Sequence, residues 1–510
     1  MATNESPTSE PPGMSSLPRD IFWIILRYLD PRDVVCCRRV SRSWSEAFGN
    51  PDNLVPLLKE LYPRAREVRE LLNDASTDES DIRIEDDAGW RKLFDQVAAR
   101  YDHLARGTFR SVQKYKLCDY FGVSGEREFF QVQPWENHAS HLMLRVDCAF
   151  SEPFWTYEDG LLVYASADDH CLVLADLNED RRFMIPFIIP GKVIRRIRLQ
   201  NKLLVVEWAE PKAFHWLNDS DGVHRHFASS YDITRSSRGW DITFRNEWKI
   251  MFLGHPLSER DRFYSSHSNT HYAIYIWQPN RSLYTADEDA PIESLFVWDI
   301  SKSSSYRPSL DPTGRLKDSE GDQGPSIVAR FGFRELDFYT VRQRGFPGII
   351  RLEVTDDAGY VEITENRCIE PDHLIGPAEW VSQVHTTSIP LFTHGPCWRR
   401  ESELGFPPYR GNSSLQATPL GIVGSDMPWY SVISEVTDEQ AQVGYCLSLS
   451  PTSWPFDLRM FLTIQSPSSK KTLKHEEVLD LTGKGKIYGN ENFIVGERHS
   501  RELVVCRFDR

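Results

Sequence analysis

The sequence is short of several things, and each shortage removes a class of protein. Its nine cysteines are odd in number and contain no C-x-x-C pair, which argues against a disulfide framework or a zinc ribbon. The vicinal pair Cys36-Cys37 falls in a helical pattern, so a reducing compartment, cytoplasm and/or nucleus, is expected. No long apolar run occurs. The most hydrophobic stretch, Phe183 to Ile189, is broken by Pro186 and is far shorter than the roughly 20 residues of a membrane span. Basic residues are outnumbered, 59 against 74 acidic, and the net charge of -15 disfavours nucleic acid and anionic membrane as partners. The segment Met1 to Met14 has neither a basic start nor an apolar core, so no secretory signal is expected there.

Catalytic signatures are missing as well. There is no G-x-S-x-G elbow and no cysteine with the surroundings of a thiol enzyme. Gly483-x-Gly485-x-x-x-Gly489 lies between strand patterns and reads as a hairpin, not as a phosphate cradle. His215, His224 and His226 lie near Asp219 and Asp221, but their spacing matches no standard metal site, and Asp219-x-Asp221-Gly222 lacks the downstream glutamate of a calcium loop. We therefore expect no catalytic residues, no cofactor and no metal.

What is present is concentrated between Leu17 and Phe48. Pro18 suits a first helical position and Asp20 the first turn of a helix running to Tyr28. Ile21, Ile25 and Tyr28 make one apolar stripe and Phe22, Leu26 and Leu29 another, with Trp23 and Ile24 between them. A helix apolar on nearly every side must be covered on both. Asp30-Pro31 caps a second helix with Val34, and Ser41 a third carrying Trp44 and Phe48, stopped by Gly49-Asn50-Pro51. Three helices in about 35 residues cannot bury that surface alone, so the missing cover is best supplied by a second protein.

Leu17-Pro18, Asp20-Ile21, Ile25-Leu26, Leu29-Asp30-Pro31, Asp33-Val34, Val40-Ser41 and Trp44 stand in the order and spacing of an F-box, and the segment resembles that family. The resemblance implies docking on a Skp-type adaptor and, through it, on a cullin, in an SCF-type ubiquitin ligase. It implies adaptor contacts at Leu17, Pro18, Ile21, Ile25, Leu29, Pro31, Val34, Val40 and Trp44. Trp23 is bulkier than the residues usual at its position.

The remaining organisation follows the pattern of the chain. Residues 1–14 read as a disordered tail, 15–50 as the F-box, and 51–108 as a helical linker region. That linker holds two pieces divided by Pro63, an acidic Ser-rich segment at 73–87 and a helix at Trp90 to Leu104. From about Phe109 short apolar runs recur between Gly, Asp, Asn, Ser and Pro, and helix signals fade. Residues 109–510 are therefore an all-β domain, expected to be a β-propeller of six to eight blades. Long loops are expected near 301–326 and 396–415. A run ending Phe508 would close the ring as an incomplete blade, and Arg195-Arg196 and Trp398-Arg399-Arg400 have the composition of binding hot spots.

The chain thus reads as multidomain, a small all-α start plus a large all-β body, and as a non-catalytic receptor that recruits a protein target of unknown identity. Its two halves are expected to fold separately across the acidic segment. Rival readings are an F-box scaffold outside any ligase and a propeller hydrolase.

Overall fold

The structure is a computed structural model, which describes the chain apart from residues 1–16, 75–86, 119–153, 219–220, 251–256, 259–260, 279–290, 313–323, 345–346, 356–358, 370–380, 392–397, 404–430, 452–457 and 499–500. The expected tail and most of the acidic segment lie outside the described residues. The chain opens with helices α1 (Arg19–Tyr28), α2 (Pro31–Cys37), α3 (Arg42–Gly49), α4 (Pro51–Leu61), α5 (Arg66–Asp74) and α6 (Asp87–Arg106). The caps are those the sequence offers: the Asp30 carboxylate accepts from the Arg32 N–H at 3.0 Å and the Ser41 hydroxyl from the Trp44 N–H at 3.2 Å.

Six four-stranded antiparallel sheets follow. The first holds Trp155–Glu158, Leu161–Ala165, Cys171–Asp176 and Arg181–Ile188, and the second Val193–Gln200, Leu203–Ala209, His226–Ser236 and Gly239–Lys249. The third comprises Arg262–His267, His271–Gln278, Ile292–Asp299 and Ser326–Phe331, and the fourth Ile349–Thr355, Tyr360–Ile369, Val381–Pro390 and Trp398–Glu403. The fifth comprises Ser431–Asp438, Val443–Pro451, Leu458–Ser466 and Ser469–Lys474. The sixth takes Tyr488–Gly489, Phe493–Arg498 and Glu502–Arg507, and its fourth strand is Ser111–Lys116 from the start of the β region, paired antiparallel with Glu502–Arg507. The expected incomplete last unit is thus completed by the first strand.

Neighbouring sheets share buried clusters. Leu162 and Tyr164 of the first meet Phe493 and Val505 of the sixth, Leu174 of the first meets Val206 of the second, Val205 meets Ile274 of the third, and Tyr275 meets Ile363 of the fourth. The fifth and sixth are joined through Leu462 and Val504. Between the fourth and fifth no such cluster is formed by the described residues, and the connection 404–430 lies outside them.

In an antiparallel meander successive connections alternate between the two ends of the sheet. At one end the turns are tight, such as 159–160 and 201–202, where Asn201 and Lys202 both have positive φ (+54° and +59°), as a two-residue hairpin turn requires. The Glu158 carboxylate accepts from the backbone N–H groups of both, and Tyr445 donates to the Asn490 carbonyl at 2.7 Å, so these turns adjoin from sheet to sheet. The same end also carries the long connection 300–325, where a loop is expected near 301–326, with the Ile300 N–H donating to the Thr270 carbonyl at 2.7 Å. The opposite end carries several larger connections. These are 210–225, with the hairpin His215–Asn218 and Asp221–Val223, then 332–348 with α7 (Phe333–Phe338), and 475–487 with α8 (His475–Val478).

Three expectations need correction. The segment 396–415 was expected as loop, yet Trp398–Glu403 is a strand paired with Gln383–Ser388. Its side chains, and the rest of that stretch, lie outside the described residues. The apolar runs Trp240 to Phe244 and Trp248 to Leu253 suggest two strands, but Gly239–Lys249 is one, because its polar middle is buried and satisfied. Asn246 accepts from Ser230 at 2.6 Å and donates to the Ile300 carbonyl at 3.0 Å, and Glu247 accepts from Ser229 at 3.0 Å.

The third correction concerns independence of the two halves. One buried cluster runs from Phe22, Leu26, Val34 and Phe48 through Leu57, Val68, Phe94 and Val97 to Tyr445, Leu462 and Leu473 of the fifth sheet and Phe508 beside the sixth. Helix α6 is the hinge pin of this arrangement. The Arg38 guanidinium meets Asp95 at 2.6 Å and donates to the Phe48 carbonyl at 3.0 Å, and Arg91 donates to the Gly49 carbonyl at 2.8 Å. At its other flank the buried Arg100 meets Glu67 at 2.7 Å, Glu491 at 3.2 Å and Asn492 at 2.6 Å. The acidic segment is an excursion between α5 and α6, while the helices on either side of it pack on the tight-turn end of the fifth and sixth sheets.

Candidate functional site

Helix α1 divides its apolar residues between two environments. Phe22 and Leu26 are buried, and the Phe22 ring meets Phe48 edge-on at 5.0 Å between centroids. Trp44 stacks on the other side of Phe48 at 5.4 Å. On the opposite face Ile21 is 48% exposed, Ile24 51% and Tyr28 87%, with Ile25 half-buried among them. Positions 21, 24, 25 and 28 follow the i, i+3, i+4, i+7 rule, so they form one continuous strip along the helix. The buried Phe22 and Leu26 set the rotation of α1, and Arg27 adds an exposed salt bridge to Glu60 of α4 at 2.6 Å.

Each residue that the resemblance singled out has a definite place. Ile21, Pro18 and Val40 are exposed, Val40 at 63%. Leu17, Ile25, Pro31, Leu29 and Trp44 are half-buried, and of these Leu17, Leu29 and Trp44 lie against the core. Val34 is fully buried and belongs to that core, so it is corrected from a contact residue to a structural one. Ile24 and Tyr28, outside the expected contact set, carry much of the open strip. Their helical spacing from Ile21 is the signal that marks them.

Residues 14–54 match the F-box-like family model. This segment is an F-box-like domain. No curated protein matches the chain. Among solved structures it is similar to one titled "Crystal Structure of Mitotic Checkpoint Complex", at 7% identity over 79% of this chain and 95% of that chain with a TM-score of 0.29. It is also similar to Drosophila Semaphorin 1a, extracellular domains 1–2, at 9% identity over 70% of this chain and 85% of that one with a TM-score of 0.23. At TM-scores this low neither likeness bears on fold or function. The F-box-like domain is where the exposed strip lies, and the helices beneath it, α4 and α6, are what hold it on the β region.

The histidines near 215–226 have structural surroundings. His224 and His226 each direct Nδ1 at a backbone carbonyl, of Glu210 at 2.8 Å and of His224 at 2.9 Å, and His226 Nε2 faces Arg195 at 2.6 Å. Among the described residues no three metal-ligating side chains converge. Burial, and then the neighbouring Arg195, push the His226 pKa well below its usual value. His267, fully buried and near Arg198, is pushed down to about 3 for the same two reasons.

A pH dependence follows. Unfolded histidine takes up a proton near pH 6.5 that folded His267 and His226 refuse, so their contribution to stability is full above that pH and lost as the pH falls. Each costs about 1.4 kcal/mol per pH unit between 6.5 and 5. The carboxyls of Glu207, Glu491 and Glu497, raised mainly by burial, act in the opposite sense: what they contribute is present below the ordinary carboxylate range and is lost as the pH rises above it. Chemical denaturation at pH 7 and pH 5 should show His267→Asn losing less stability on acidification than the unchanged chain, by about 2 kcal/mol. Equal losses would remove His267 from the account.

Proposed function

We propose that this chain is the substrate-recognition subunit of an SCF-type ubiquitin ligase, in which the open strip of α1 binds a Skp-type adaptor and, through it, a cullin. The observation that carries the reading is the strip itself, apolar and half exposed in a segment that matches the F-box-like model. Large exposed aliphatic and aromatic side chains in a row mark a surface that is covered in an assembly. Domains of this kind generally bind Skp-type adaptors.

The β region is a six-bladed propeller in this reading. Its support is the completion of the sixth sheet by Ser111–Lys116, which ties the beginning of the β region to its end, and the run of shared clusters from the fifth sheet through the sixth to the fourth. The F-box-like helices occupy the tight-turn end. Most of the longer connections lie at the other end, and in this reading the target binds there, turned away from the adaptor side. The chain supplies binding and proximity, and the transfer chemistry belongs to other subunits.

The test is co-purification of the tagged full chain from cells that express it. The proposal expects a Skp-type adaptor and a cullin together in stoichiometric amounts. Adaptor without cullin favours a scaffold outside a ligase, and neither protein overturns the proposal.

A further inference from the structure

Among the described residues of the β region the exposed large aromatic side chains are Phe214, Trp216, Phe333 and Phe338. All four lie in connections at the end of the sheets away from the F-box-like helices. We propose that α7 and its flanks form a docking surface for a short acidic protein segment that carries apolar side chains. This rests on the receptor reading for its biological role, and names the surface and the chemistry of the target.

The phenylalanines of α7 are held out deliberately. Leu336 and Tyr339 are buried beneath the helix, while Phe333 is 51% and Phe338 70% exposed above it. The Gly332 N–H donates to the Glu335 carboxylate at 3.0 Å, capping the helix start. On the far side the backbone N–H groups of Gln343 and Arg344 donate to the buried Glu293 carboxylate at 2.7 and 2.8 Å. Thr340 and Arg344 have φ of +58° and +55°, the left-handed region that a β-branched residue seldom enters. Such strain persists only where the surroundings impose it, and it collects at binding sites. A helix whose backbone is fixed in this way pays little ordering cost in its backbone when a partner covers it.

Charge selects the partner. Between Arg330 and Arg344 the sequence has four arginines against Glu335 and Asp337, in a chain whose net charge is -15. Asp337 is held by Arg342 at 3.0 Å and Arg344 at 2.7 Å, and Glu335 by the helix cap. Arg330 and Arg334 are exposed and form no ion pair among the described residues; each guanidinium lies over a ring, that of Phe296 at 5.3 Å and of Phe333 at 5.7 Å. Arginine forks beside exposed aromatic rings match carboxylates next to apolar side chains, the residue types that dominate interface hot spots. A long polyanion would meet the acidic remainder of the chain, whereas a short segment senses the local arginines within the Debye length of about 8 Å at physiological salt.

The hairpin connection 210–225 lies at the same end of the sheets and also holds its aromatic side chains outward. Phe214 lies under Arg225, 5.2 Å from its ring centre, and Trp216 pairs across the hairpin with Gly222, where an added Cβ would come within 3.3 Å of the indole. The His224 N–H donates to the Leu257 carbonyl at 2.9 Å and anchors the hairpin.

The test is a random 12-residue peptide display library panned on the full chain, followed by fluorescence polarisation with the recovered peptide. The expected consensus places Asp or Glu within a few residues of Leu or an aromatic residue. Phe338→Ser and Arg334→Glu should each weaken that peptide at least tenfold without changing the unfolding midpoint, and repanning on Arg334→Glu should shift the consensus toward Lys or Arg. Recovery of no consensus, a consensus without acids, or binding indifferent to both variants overturns the proposal. So does concentration-dependent dimerisation abolished by Phe338→Ser, which would assign the surface to a second copy. Adaptor binding is measured on the same preparation, so loss of the F-box reading and loss of this surface are separate results.

Discussion

A chain with Ile21 and Ile24 both changed to aspartate is expected to lose a Skp-type adaptor by more than a hundredfold while unfolding at the same denaturant concentration. Both side chains are about half exposed, so a charge at either position stays in water in the free chain and costs little there. In the complex the same carboxylates would be desolvated against apolar groups, and interface anchors commonly contribute about 2 kcal/mol or more each. Two such losses multiply to more than a hundredfold in affinity. Phe22→Ala is the contrasting variant. Phe22 is buried against Phe48, so its truncation should cost about 3 to 5 kcal/mol of stability. Titration of purified adaptor alongside chemical denaturation separates the two effects. An unchanged affinity in the double aspartate variant would remove the strip from the adaptor site.

The second large effect is expected at Arg100. Burial alone would lower its pKa, but the carboxylates of Glu67 and Glu491 reverse that and keep it charged. The same contact lowers the pKa of Glu67 against the effect of its burial, whereas the deeper Glu491 stays raised by burial. Glu491 also accepts from the Tyr101 hydroxyl at 3.0 Å and the Arg66 N–H at 2.9 Å, so the cluster ties α5 and α6 to the sixth sheet. Arg100→Ala leaves Glu491 buried without its main counter-charge and should destabilise the chain by about 3 to 5 kcal/mol. Arg100→Met combined with Glu491→Gln removes both charges while keeping an acceptor for Arg66, and should recover a large part of that loss. Because the core is continuous from Phe22 to Phe508, far-ultraviolet dichroism and tryptophan fluorescence should report one shared transition. Two separated transitions, or additive energies in the Arg100 and Glu491 cycle, would contradict a fused architecture.

Much of this was legible from local pattern. The capping residues Asp30 and Ser41, the prolines at 18 and 31 and the two stripes of α1 specify the helices of the F-box-like segment and say that both faces want cover. They do not say which face the chain covers itself, and so Val34 was placed among contact residues when it is core. Strands with apolar runs, such as Leu161–Ala165 and His271–Gln278, announce themselves. Edge strands such as Ser469–Lys474, whose side chains are mostly exposed, do not, because only Leu473 is buried in it. Helix α7 is about one turn and a half long and has one buried residue, Leu336, with Tyr339 just beyond its end, too few to set a period against the strands around it. The link between the halves was least accessible. Tyr101 and Glu491 are 390 positions apart, and no local feature of an acidic Ser-rich segment reveals that the helices flanking it are packed on the last sheets.

Amide hydrogen exchange on the full chain, free and with purified Skp-type adaptor, tests the central claim most directly. The account predicts added protection over the F-box-like helices, centred on the amides of Ile21 to Tyr28 and continuing to Val40, with the tight turns and the long connections of the β region unchanged. Protection confined to the β region, or no change anywhere at saturating adaptor, would contradict it.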